Sequence, residues 1–566
     1  MNNSPHGKTS ESFRPVIMGL NGMVASGHPL ASEAGINVMR NGGNAVDAAL
    51  AVASTLSVVE PMMSGLGGDG YIMVYWKDTD SIEIINGTGA APLKAEPHLF
   101  KDTGIPSKGI LSVSTPGLMH AWFDAYDKYA SLDLSTLFSD SIRIAEQGFP
   151  VTHYLSNAIG EDPLLCSFED SKKIFTNNGS PLAPGEILVQ KNLSKTLKIL
   201  AEEGRNSFYN GSIGKALVEF INKHGGLLTQ KDFSDCTSRT ESPISTTYHG
   251  YTVYESPPNS SGHILLQELN ILENFDISDF EPTSSELIHL MVEAKKLAFN
   301  DREHYMSDPD FTDIPIEGML SKKYAAHLAS LINVSKASNS TNKTNPWEYQ
   351  KQQRQNPIND RTGVAEESEN TTCFVIVDKH GNAVCQLQSL QSSWGSGMIA
   401  GDTGILLNNR MTYWHLEPEH LNYLQPGRRV RHTMNTVMVF EEKTKKLKWV
   451  LGTPGADTQV QSNFQVLINL IHFGYNVAEA VEAPRWKDIL SPTESNYPHT
   501  FTNELIIENR FPEKTISDLK QKGHQIRNLA KWDGIVGREM IIQSDSKTHT
   551  LHGAADPRYD GYAIGW

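Results

Sequence analysis

The sequence predicts an α/β protein, because both halves of the 566-residue chain combine segments of helical spacing with segments of strand character. Apolar residues recur at helical spacing in residues 30–39 and 286–305, whereas residues 374–387 carry apolar runs typical of paired strands. The chain is longer than the roughly 250–300 residues that one hydrophobic core usually organises. We therefore expect two core-forming units, or one large core with insertions.

The N-terminal part is predicted as a loose segment followed by two helices. Residues 1–14 are polar and are expected to be loose. Residues 30–39 form the first predicted helix, which ends at Gly42 and Gly43. Residues 46–56 are almost entirely apolar and predict a second, largely buried helix.

The glycine-rich residues 65–70 predict a turn that allows a close approach of the backbone to a neighbour. A phosphate-binding loop has a similar glycine content, but it ends in Gly-Lys-Ser or Gly-Lys-Thr, and this run does not. Nucleotide binding is therefore not predicted here.

The middle of the chain predicts a long helix, a polar linker and a strand pair. Residues 286–305 predict a core-facing helix. Residues 335–370 are polar with little to pack, and they predict a flexible lead-in. After this lead-in, residues 374–376 and 384–387 predict two paired strands that are joined through residues 379–382.

Charge and cysteine content exclude several classes of function. The chain has 49 basic and 65 acidic residues and a formal charge of −16, which disfavours nucleic-acid and anionic-membrane partners. Its cysteines are sparse and have no zinc-like spacing, so neither a disulfide framework nor a metal site is predicted. They are Cys166, Cys236, Cys373 and Cys385. The first ten residues lack the apolar core of a signal peptide, so a cytoplasmic location is expected.

Two threonines, Thr371 and Thr372, stand between the polar lead-in and the first predicted strand of the pair. A threonine hydroxyl needs a neighbouring base to become a nucleophile, and cutting the Asn370–Thr371 bond would supply one, the freed α-amine of Thr371. The reference pKa of such an amine is about 7.7 to 8.0, so it can accept a proton near neutral pH. The same hydroxyl would make the first cut by attacking the Asn370 carbonyl, and the uncut chain would be inactive.

Several long motifs occur together with this threonine pair and in a fixed order. They are residues 41–49, 64–70, 369–378, 389–397, 404–409, 454–456 and 554–558. Together they resemble the gamma-glutamyltransferase family of N-terminal nucleophile hydrolases over nearly the whole chain. The resemblance implies a four-layer αββα sandwich, built jointly by a large subunit of residues 15–370 and a small catalytic subunit of residues 371–566.

The resemblance also implies roles for individual residues. Thr371 would be the nucleophile, and Ser389 falls where the family has a hydroxyl that hydrogen-bonds the nucleophile, although an ordinary polar strand residue is the alternative. Gly455 and Ala456 match the family's glycine pair, whose N–H groups bind the oxyanion, with a simple Pro-Gly turn as the alternative. Each such donor is worth roughly 2.7 to 4 kcal/mol, and alanine retains its N–H.

The residues that would recognise the acyl group depart from the family pattern. A γ-glutamyl group carries an α-carboxylate and an α-ammonium, which call for an arginine fork and a carboxylate. The family's arginine is absent from residues 86–92, and its aspartate is replaced by Tyr413. The family's serine pair appears here as His432 and Thr433. Three of the four polar anchors are therefore changed.

Other residues near these positions offer alternative contacts. Arg410 introduces a positive charge that either binds a substrate carboxylate from the opposite side of the pocket or forms a surface or structural ion pair. Tyr413, Trp414 and His415 either form a wall of the acyl pocket or belong to ordinary packing. A nearby arginine run is either an anion site or a solvated face, and it consists of Arg428, Arg429 and Arg431.

The leading functional prediction is a self-processing threonine amidohydrolase or acyltransferase that acts through an acyl-Thr371 ester. Its substrate would be a small-molecule amide, with water or an amine as acceptor, and glutathione hydrolysis is the activity that the resemblance implies.

One alternative is an amidase for another acyl group, similar to the family's oxamate amidohydrolases or cephalosporin acylases. Another is an uncleaved, non-catalytic binding protein. The chemistry requires no metal or organic cofactor, and the mature unit would be a heterodimer of the two fragments, possibly in a larger oligomer.

Overall fold

The structure is a computed structural model that describes residues 12–339, 344–351, 369–489 and 503–566. Its strands are β1 (Ile17–Gly19), β2 (Gly22–Ser26), β3 (Asp69–Trp76), β4 (Ser81–Gly87), β5 (Phe149–Pro150), β6 (Thr176–Asn177), β7 (Ser180–Pro181), β8 (Ile187–Leu188), β9 (Arg239–Glu241), β10 (Ile244–Tyr248), β11 (Tyr251–Glu255), β12 (Glu369–Asp378), β13 (Ala383–Ser392), β14 (Val437–Glu441), β15 (Leu447–Gly452), β16 (Trp486–Asp488), β17 (Leu505–Glu508), β18 (Ile526–Leu529), β19 (Met540–Asp545), β20 (Thr550–Ala555) and β21 (Tyr562–Gly565).

The helices surround these strands. They are α1 (Pro29–Arg40), α2 (Ala45–Val59), α3 (Leu118–Tyr129), α4 (Leu134–Leu137), α5 (Ser139–Gln147), α6 (His153–Glu161), α7 (Glu169–Phe175), α8 (Lys191–Glu203), α9 (Arg205–Tyr209), α10 (Ser212–Lys223), α11 (Gln230–Ser234), α12 (His263–Leu272), α13 (Ser285–Tyr305), α14 (Ile316–Met319), α15 (Lys322–Ser330), α16 (Thr458–Ile471), α17 (Val477–Glu482) and α18 (Glu513–Gln521). None of the described helices is long and apolar enough to cross a membrane.

Two seven-stranded antiparallel sheets form the centre of the fold. The first sheet has the order β1-β20-β19-β15-β14-β11-β10, and the second has the order β21-β2-β12-β13-β3-β4-β9. Alternate residues of β12 explain how both faces of the second sheet are buried. Cys373 and Val375 pack with Met438 and Val450 of the first sheet, whereas Phe374 points into the helical layer on the other side.

Helices cover the outer face of each sheet. Residues of α1, α2 and α3 share one apolar cluster with the second sheet, and residues of α12, α13 and α16 share another with the first sheet. The order of layers is therefore helices, sheet, sheet, helices. This arrangement confirms the four-layer αββα sandwich.

The helices predicted from the first part of the sequence are confirmed. Helix α1 begins at Pro29, which is favoured in the first turn, after His28 caps it by accepting from the Leu30 N–H at 3.2 Å. Helix α2 begins with a capping box formed by Asn44 and Asp47, and its 15 residues are buried on all sides. Its buried end brings residue 60 close to the second sheet.

The glycine-rich run is only partly a turn. Asp69 and Gly70 already belong to β3, which corrects the prediction for these two positions. The predicted close approach does occur at Gly67 and Gly68, where a β-carbon would lie 2.3 Å from the carbonyl oxygens of Leu406 and Ser389, respectively. The run therefore packs against the backbone beside Ser389.

The long helix and the strand pair of the middle region are also confirmed as α13, β12 and β13. The lead-in predicted for residues 335–370 lies partly outside the described residues. Its described residues 344–351 are not loose, because Trp347 lies in a short 3-10 helix and is buried. Of the loose segment predicted for residues 1–14, only residues 12–14 are described.

Both sheets combine strands from the two sides of the Asn370–Thr371 bond. In the second sheet, β12 pairs with β2 and β13 pairs with β3, and all these pairings are antiparallel. In the first sheet, β1 pairs with β20 and β11 pairs with β14. Residues 15–370 and 371–566 are therefore parts of one fold.

Candidate active site

Thr371 lies at the start of β12 and is buried. Its hydroxyl donates a hydrogen bond to the Ser389 hydroxyl at 3.2 Å, and the Ser389 hydroxyl donates to the Asn370 carbonyl oxygen at 2.9 Å. The predicted nucleophile, its predicted hydroxyl partner and the predicted scissile carbonyl are therefore connected by two hydrogen bonds. A donor on a carbonyl oxygen stabilises the negative charge that develops there when the carbon is attacked.

A β-bulge places the Ser389 hydroxyl at this position. Asn370 pairs with Gln391 and Thr372 pairs with Gln388, so two residues of β13 oppose the single residue Thr371. Gln391 has a φ of 90°, in the left-handed region that side chains rarely adopt, and its N–H donates to the Ser389 hydroxyl at 2.8 Å. Bulges of this kind redirect side chains beside active sites.

Gly455 and Ala456 lie in the turn between β15 and α16, with φ values of 115° and 45°. Among the described residues, no acceptor hydrogen-bonds to either of their N–H groups. Both groups precede the N-terminus of α16, where backbone N–H groups and the helix dipole favour negative charge. The turn therefore has the donors that an oxyanion site requires.

A cavity of about 680 Å³ has both Asn370 and Gly455 in its lining. The residue whose carbonyl would be attacked in the first cut and one residue of the predicted oxyanion site thus face the same space. Cavities of this size accommodate small-molecule ligands.

The residues predicted to bind the acyl group form one buried cluster around Asp69. Asp69 lies directly opposite Ser389 in the register of β3 and β13, and residues in such pairs have β-carbons about 4.5–5.5 Å apart on the same face of the sheet. Arg410 donates from Nε to Asp69 Oδ2 at 3.1 Å, and His432 Nε2 lies 3.4 Å from the same oxygen. Tyr413 is hydrogen-bonded to Thr433 at 3.1 Å.

Burial and charge set the protonation states in this cluster. Burial alone would raise the pKa of Asp69, but contact with His432 and the charge of Arg410 outweigh it and lower this pKa. Burial, together with the Arg410 charge, lowers the pKa of His432 to about 4. At neutral pH the cluster therefore contains an Asp69–Arg410 ion pair and a neutral His432.

Of the two interpretations of Arg410, the structural ion pair is present. Arg410 is 1% exposed, and its guanidinium stacks 4.7 Å from the centre of the Tyr413 ring. Its Nη2 atom has no hydrogen-bond partner among the described residues and could still donate to a ligand. Substrate binding by Arg410 therefore stays a prediction. Trp414 is part of an apolar cluster with Tyr413, which supports the packing alternative for this aromatic side chain.

The three arginines that follow are not a solvated face. Arg431 donates to Glu303 at 2.8 Å, Arg429 Nε donates to the Thr88 carbonyl at 2.8 Å, and Arg428 donates to Thr312 at 3.0 Å. These contacts tie the segment of His432 and Thr433 to the rest of the protein. The run therefore has a structural role, and its three arginines are not in the lining of the cavity.

Glu60 is a further residue of the site that the sequence analysis missed. It lies at the C-terminal end of α2, and its Oε2 accepts a hydrogen bond from the Thr372 hydroxyl at 2.6 Å. Gly27 makes room for it, since a β-carbon there would lie 2.5 Å from Glu60 Oε1. Burial raises the pKa of Glu60 to about 7. The only available signal was an acidic residue within an otherwise apolar stretch.

Arg538 was missed as well, because its neighbours are distant in sequence. Its guanidinium lies 4.4 Å from the centre of the Tyr559 ring and donates to the Tyr154 hydroxyl at 3.0 Å. The backbone N–H of Arg538 donates to the Thr453 hydroxyl at 2.7 Å, and this hydrogen bond links Arg538 to the turn of Gly455. Arg538 also lines the cavity.

Two groups of described residues have side chains of metal-ligand type. In the first, Glu293 is paired with Lys296 at 2.8 Å, and the ring nitrogens of His289 and His524 lie 2.9 Å apart, as in a hydrogen bond. In the second, which also includes Glu303, the His415 and His420 rings stack 3.3 Å apart at 9°. Parallel stacked rings cannot both direct a nitrogen lone pair at one ion. Hydrogen bonding and stacking account for both groups.

Known proteins share both the sequence pattern and the fold. The gamma-glutamyltranspeptidase family model matches residues 31–566. The chain is 36% identical to the glutathione hydrolase-like YwrD proenzyme of Bacillus subtilis (strain 168), covering 97% of this chain and 99% of that protein. It is 34% identical to the glutathione hydrolase proenzyme of the same organism, covering 99% and 94%. A crystal structure of cephalosporin acylase from Bacillus halodurans superposes with a TM-score of 0.87 at 31% identity, covering 100% and 99% of the two chains.

Proposed function

The chain belongs to the gamma-glutamyltranspeptidase family and is an enzyme of that family, and from this premise we propose that it is a self-cleaving threonine amidohydrolase or acyltransferase with Thr371 as nucleophile. The observation that supports this most directly is the hydrogen-bonded sequence from the Thr371 hydroxyl through Ser389 to the Asn370 carbonyl. It brings the nucleophile and the bond of the first cut together in the uncut chain.

In the first cut, the Thr371 hydroxyl oxygen bonds to the Asn370 carbonyl carbon, and the Asn370–Thr371 C–N bond breaks. The Thr371 nitrogen takes the hydroxyl proton, which leaves an ester between Asn370 and Thr371. Water then opens this ester, so that Asn370 becomes a C-terminal carboxylate and Thr371 has a free α-amine and hydroxyl. Ser389 donates to the carbonyl oxygen throughout the attack.

In turnover, the free α-amine of Thr371 accepts the proton of its own hydroxyl as the oxygen attacks the substrate amide. The N–H groups of Gly455 and Ala456 stabilise the oxyanion, and the leaving amine takes the proton from the Thr371 amine. Water or an acceptor amine then resolves the acyl-Thr371 ester. The products are the free acid in the first case and a new amide in the second.

The first candidate for the acyl group is γ-glutamyl, transferred from glutathione-like amides. It is supported by the relatives that are named glutathione hydrolases and share 36% and 34% of their residues with this chain over nearly its full length. The fold alone does not select this acyl group, since one fold supports many substrates.

A second candidate is an acyl group that bears a carboxylate but no ammonium, as in glutaryl or oxamate amides. The specific observation in its favour is the buried cluster around Asp69, which contains the residues predicted to bind the acyl group and in which Asp69 is already paired with Arg410 and His432 is neutral. An α-ammonium would find no uncommitted carboxylate within this cluster. Turnover of γ-glutamyl anilide but not of glutaryl anilide or oxamate would eliminate this second candidate.

Intact mass spectrometry of the purified wild type and Thr371→Ala after incubation at neutral pH tests the proposal. We expect two wild-type fragments, the smaller beginning at Thr371, and an uncut Thr371→Ala chain. Thr371→Ser is the matched control, because it retains a hydroxyl and should still be cut. A wild-type chain that stays whole would support the binding-protein alternative, and cleavage of Thr371→Ala at the same bond would exclude Thr371 as nucleophile.

A further inference from the structure

The lining of the cavity indicates where the acyl group of a substrate would lie, and it does not include the predicted acyl-binding residues Arg410, Tyr413, His432 and Thr433. Asn370 provides the carbonyl of the first cut and is therefore the acyl residue of that reaction. It is Asn370, and not Thr371, that is part of the cavity lining. A substrate whose carbonyl takes the place of the Asn370 carbonyl thus extends its acyl group into this cavity.

Most of the positive charges around this cavity are already neutralised. Lys108 is paired with Asp162 at 2.8 Å, Arg527 with Glu504 at 2.9 Å, and Arg558 with Glu508 at 2.7 Å. Among the described residues, Arg538 and Lys487 are lining cations without a carboxylate within ion-pair distance. A largely buried cation that lacks a protein anion is a candidate partner for a ligand anion.

Arg538 differs from Lys487 because its guanidinium is held in place. The Tyr154 and Tyr559 rings lie 5.1 and 4.4 Å from it, and the Tyr154 hydroxyl accepts one of its hydrogen bonds. Gly534 leaves space for it, since a β-carbon there would lie 2.7 Å from Arg538 Nε. A fixed fork of donors loses little conformational entropy when it binds a carboxylate.

The carboxyl of Glu60 acts on Arg538 electrostatically, but the two groups do not form an ion pair. Glu60 instead accepts its hydrogen bond from Thr372. Because burial raises its pKa to about 7, part of the Glu60 population is uncharged at neutral pH. The positive charge of Arg538 is therefore only partly balanced from the protein side.

We propose that Arg538 binds a carboxylate of the substrate's acyl group, so that the cavity selects amides of carboxylate-bearing acids. This inference rests on the proposed function, since it requires an acyl-Thr371 reaction. It applies to both acyl candidates, because γ-glutamyl and glutaryl groups each carry a carboxylate. It distinguishes them from neutral acyl groups that lack this carboxylate, such as butyryl.

The test compares kcat/KM of Arg538→Gln and the wild type on matched anilides. The charged substrates are γ-glutamyl and glutaryl anilide, and butyryl anilide is the neutral one. Loss of a charge-assisted hydrogen bond is expected to lower kcat/KM for the charged anilides by about tenfold to a hundredfold, mainly through KM, and to leave butyryl anilide within about threefold. Arg143→Gln is the control, because Arg143 is not in the cavity lining and is paired with Asp140.

Mass spectrometry first establishes that each variant has been cut at Asn370–Thr371. If Arg538→Gln is not cut, Arg538→Lys replaces it, since lysine retains the charge but lacks the fork.

Glutarate inhibition of butyryl anilide hydrolysis provides a second measurement, and its Ki should rise by the same factor in the Arg538 variant. Equal losses on charged and neutral anilides, or a wild type that neither prefers the charged anilides nor binds glutarate, would overturn this inference. Failure of the proposed function is distinct, since it appears as an uncut wild type.

Discussion

Glu60 places a titratable carboxyl next to the predicted nucleophile, through its hydrogen bond to Thr372. Burial raises its pKa from 4.5 to about 7, although hydrogen bonds from Thr372 and Tyr559 act in the opposite direction. A group whose pKa is higher in the folded state stabilises the fold below its unfolded pKa and loses that effect as the pH rises through the folded value. The contribution of Glu60 to stability should therefore decline between about pH 4.5 and pH 7.

We expect Glu60→Gln to remove this decline, because glutamine is uncharged at every pH and can still accept from Thr372. Urea unfolding at pH 5 and pH 8 measures the effect, with Thr371→Ala as the common background so that the chain stays whole. When the pH rises from 5 to 8, the unfolding free energy of the Glu60→Gln variant should increase by at most about 3 kcal/mol relative to that of the protein that retains Glu60. Parallel pH profiles for the two proteins would show that Glu60 does not titrate in this range.

Single residues differ in how well the sequence identifies them. Thr371 and Ser389 stand in local motifs, and the structure brings the pair within hydrogen-bond distance. Glu60 contacts a residue 312 positions away, and Tyr154 and Tyr559, the ring partners of Arg538, are even farther apart in the sequence. No local pattern encodes such contacts. The ion pair of Arg410 could not be chosen from the sequence for the same reason, since Asp69 lies 341 positions away.

At the scale of elements, the turn from β15 to α16 combines two residues of left-handed conformation with two N–H groups that have no acceptor among the described residues. Gly455 has a φ of 115°, and a β-carbon there would lie 3.3 Å from Thr458 Cβ. Ala456, at 45°, already accepts a left-handed conformation that costs a non-glycine residue about 1 kcal/mol or more. The turn therefore tolerates a side chain at only one of its two positions.

Substitutions in this turn should have opposite effects. Gly455→Ala forces alanine into a conformation reserved for glycine, and we expect a loss of about 1–3 kcal/mol in unfolding free energy together with a strong fall in activity. Ala456→Gly retains the N–H and relieves strain, so activity should persist. Thermal unfolding and anilide hydrolysis measure both effects, and similar behaviour of the two variants would contradict the assigned geometry.

Elements with strong periodicity could be predicted, and elements held by single contacts could not. The buried run of α2 and the paired strands β12 and β13 follow from local apolar patterns. The packed residues 344–351 were missed because one buried aromatic residue, Trp347, stands in a polar stretch. The bulge opposite Thr371 depends on the register of two strands, which composition does not specify.

At the scale of the whole molecule, the two predicted fragments share both seven-stranded sheets. Seven register pairs join β13 to β3, and five join β12 to β2. Edge strand β1 depends on β20, which lies on the other side of the Asn370–Thr371 bond. The order of strands could not be predicted from the residues, because these pairings connect positions that are hundreds of residues apart.

We expect the cut protein to behave as one particle. Gel filtration in native buffer should give the wild type the same elution volume as uncut Thr371→Ala, with both fragments in a single peak. The fragments should separate only when denaturant unfolds both sheets, because either fragment alone would expose unpaired strand edges. Elution of the smaller fragment by itself under native conditions would contradict the shared sheets.

The position of Asn370 in the cavity lining has a consequence for timing. In the proposed first cut, the chain's own Asn370 takes up the acyl position, so the nucleophile reacts within its own chain and no free substrate takes part. In this proposal, the first bond that Thr371 breaks is one of the protein's own, and each molecule breaks it once. Maturation by this route would be a first-order process, and the delay between synthesis and activity would be independent of substrate concentration.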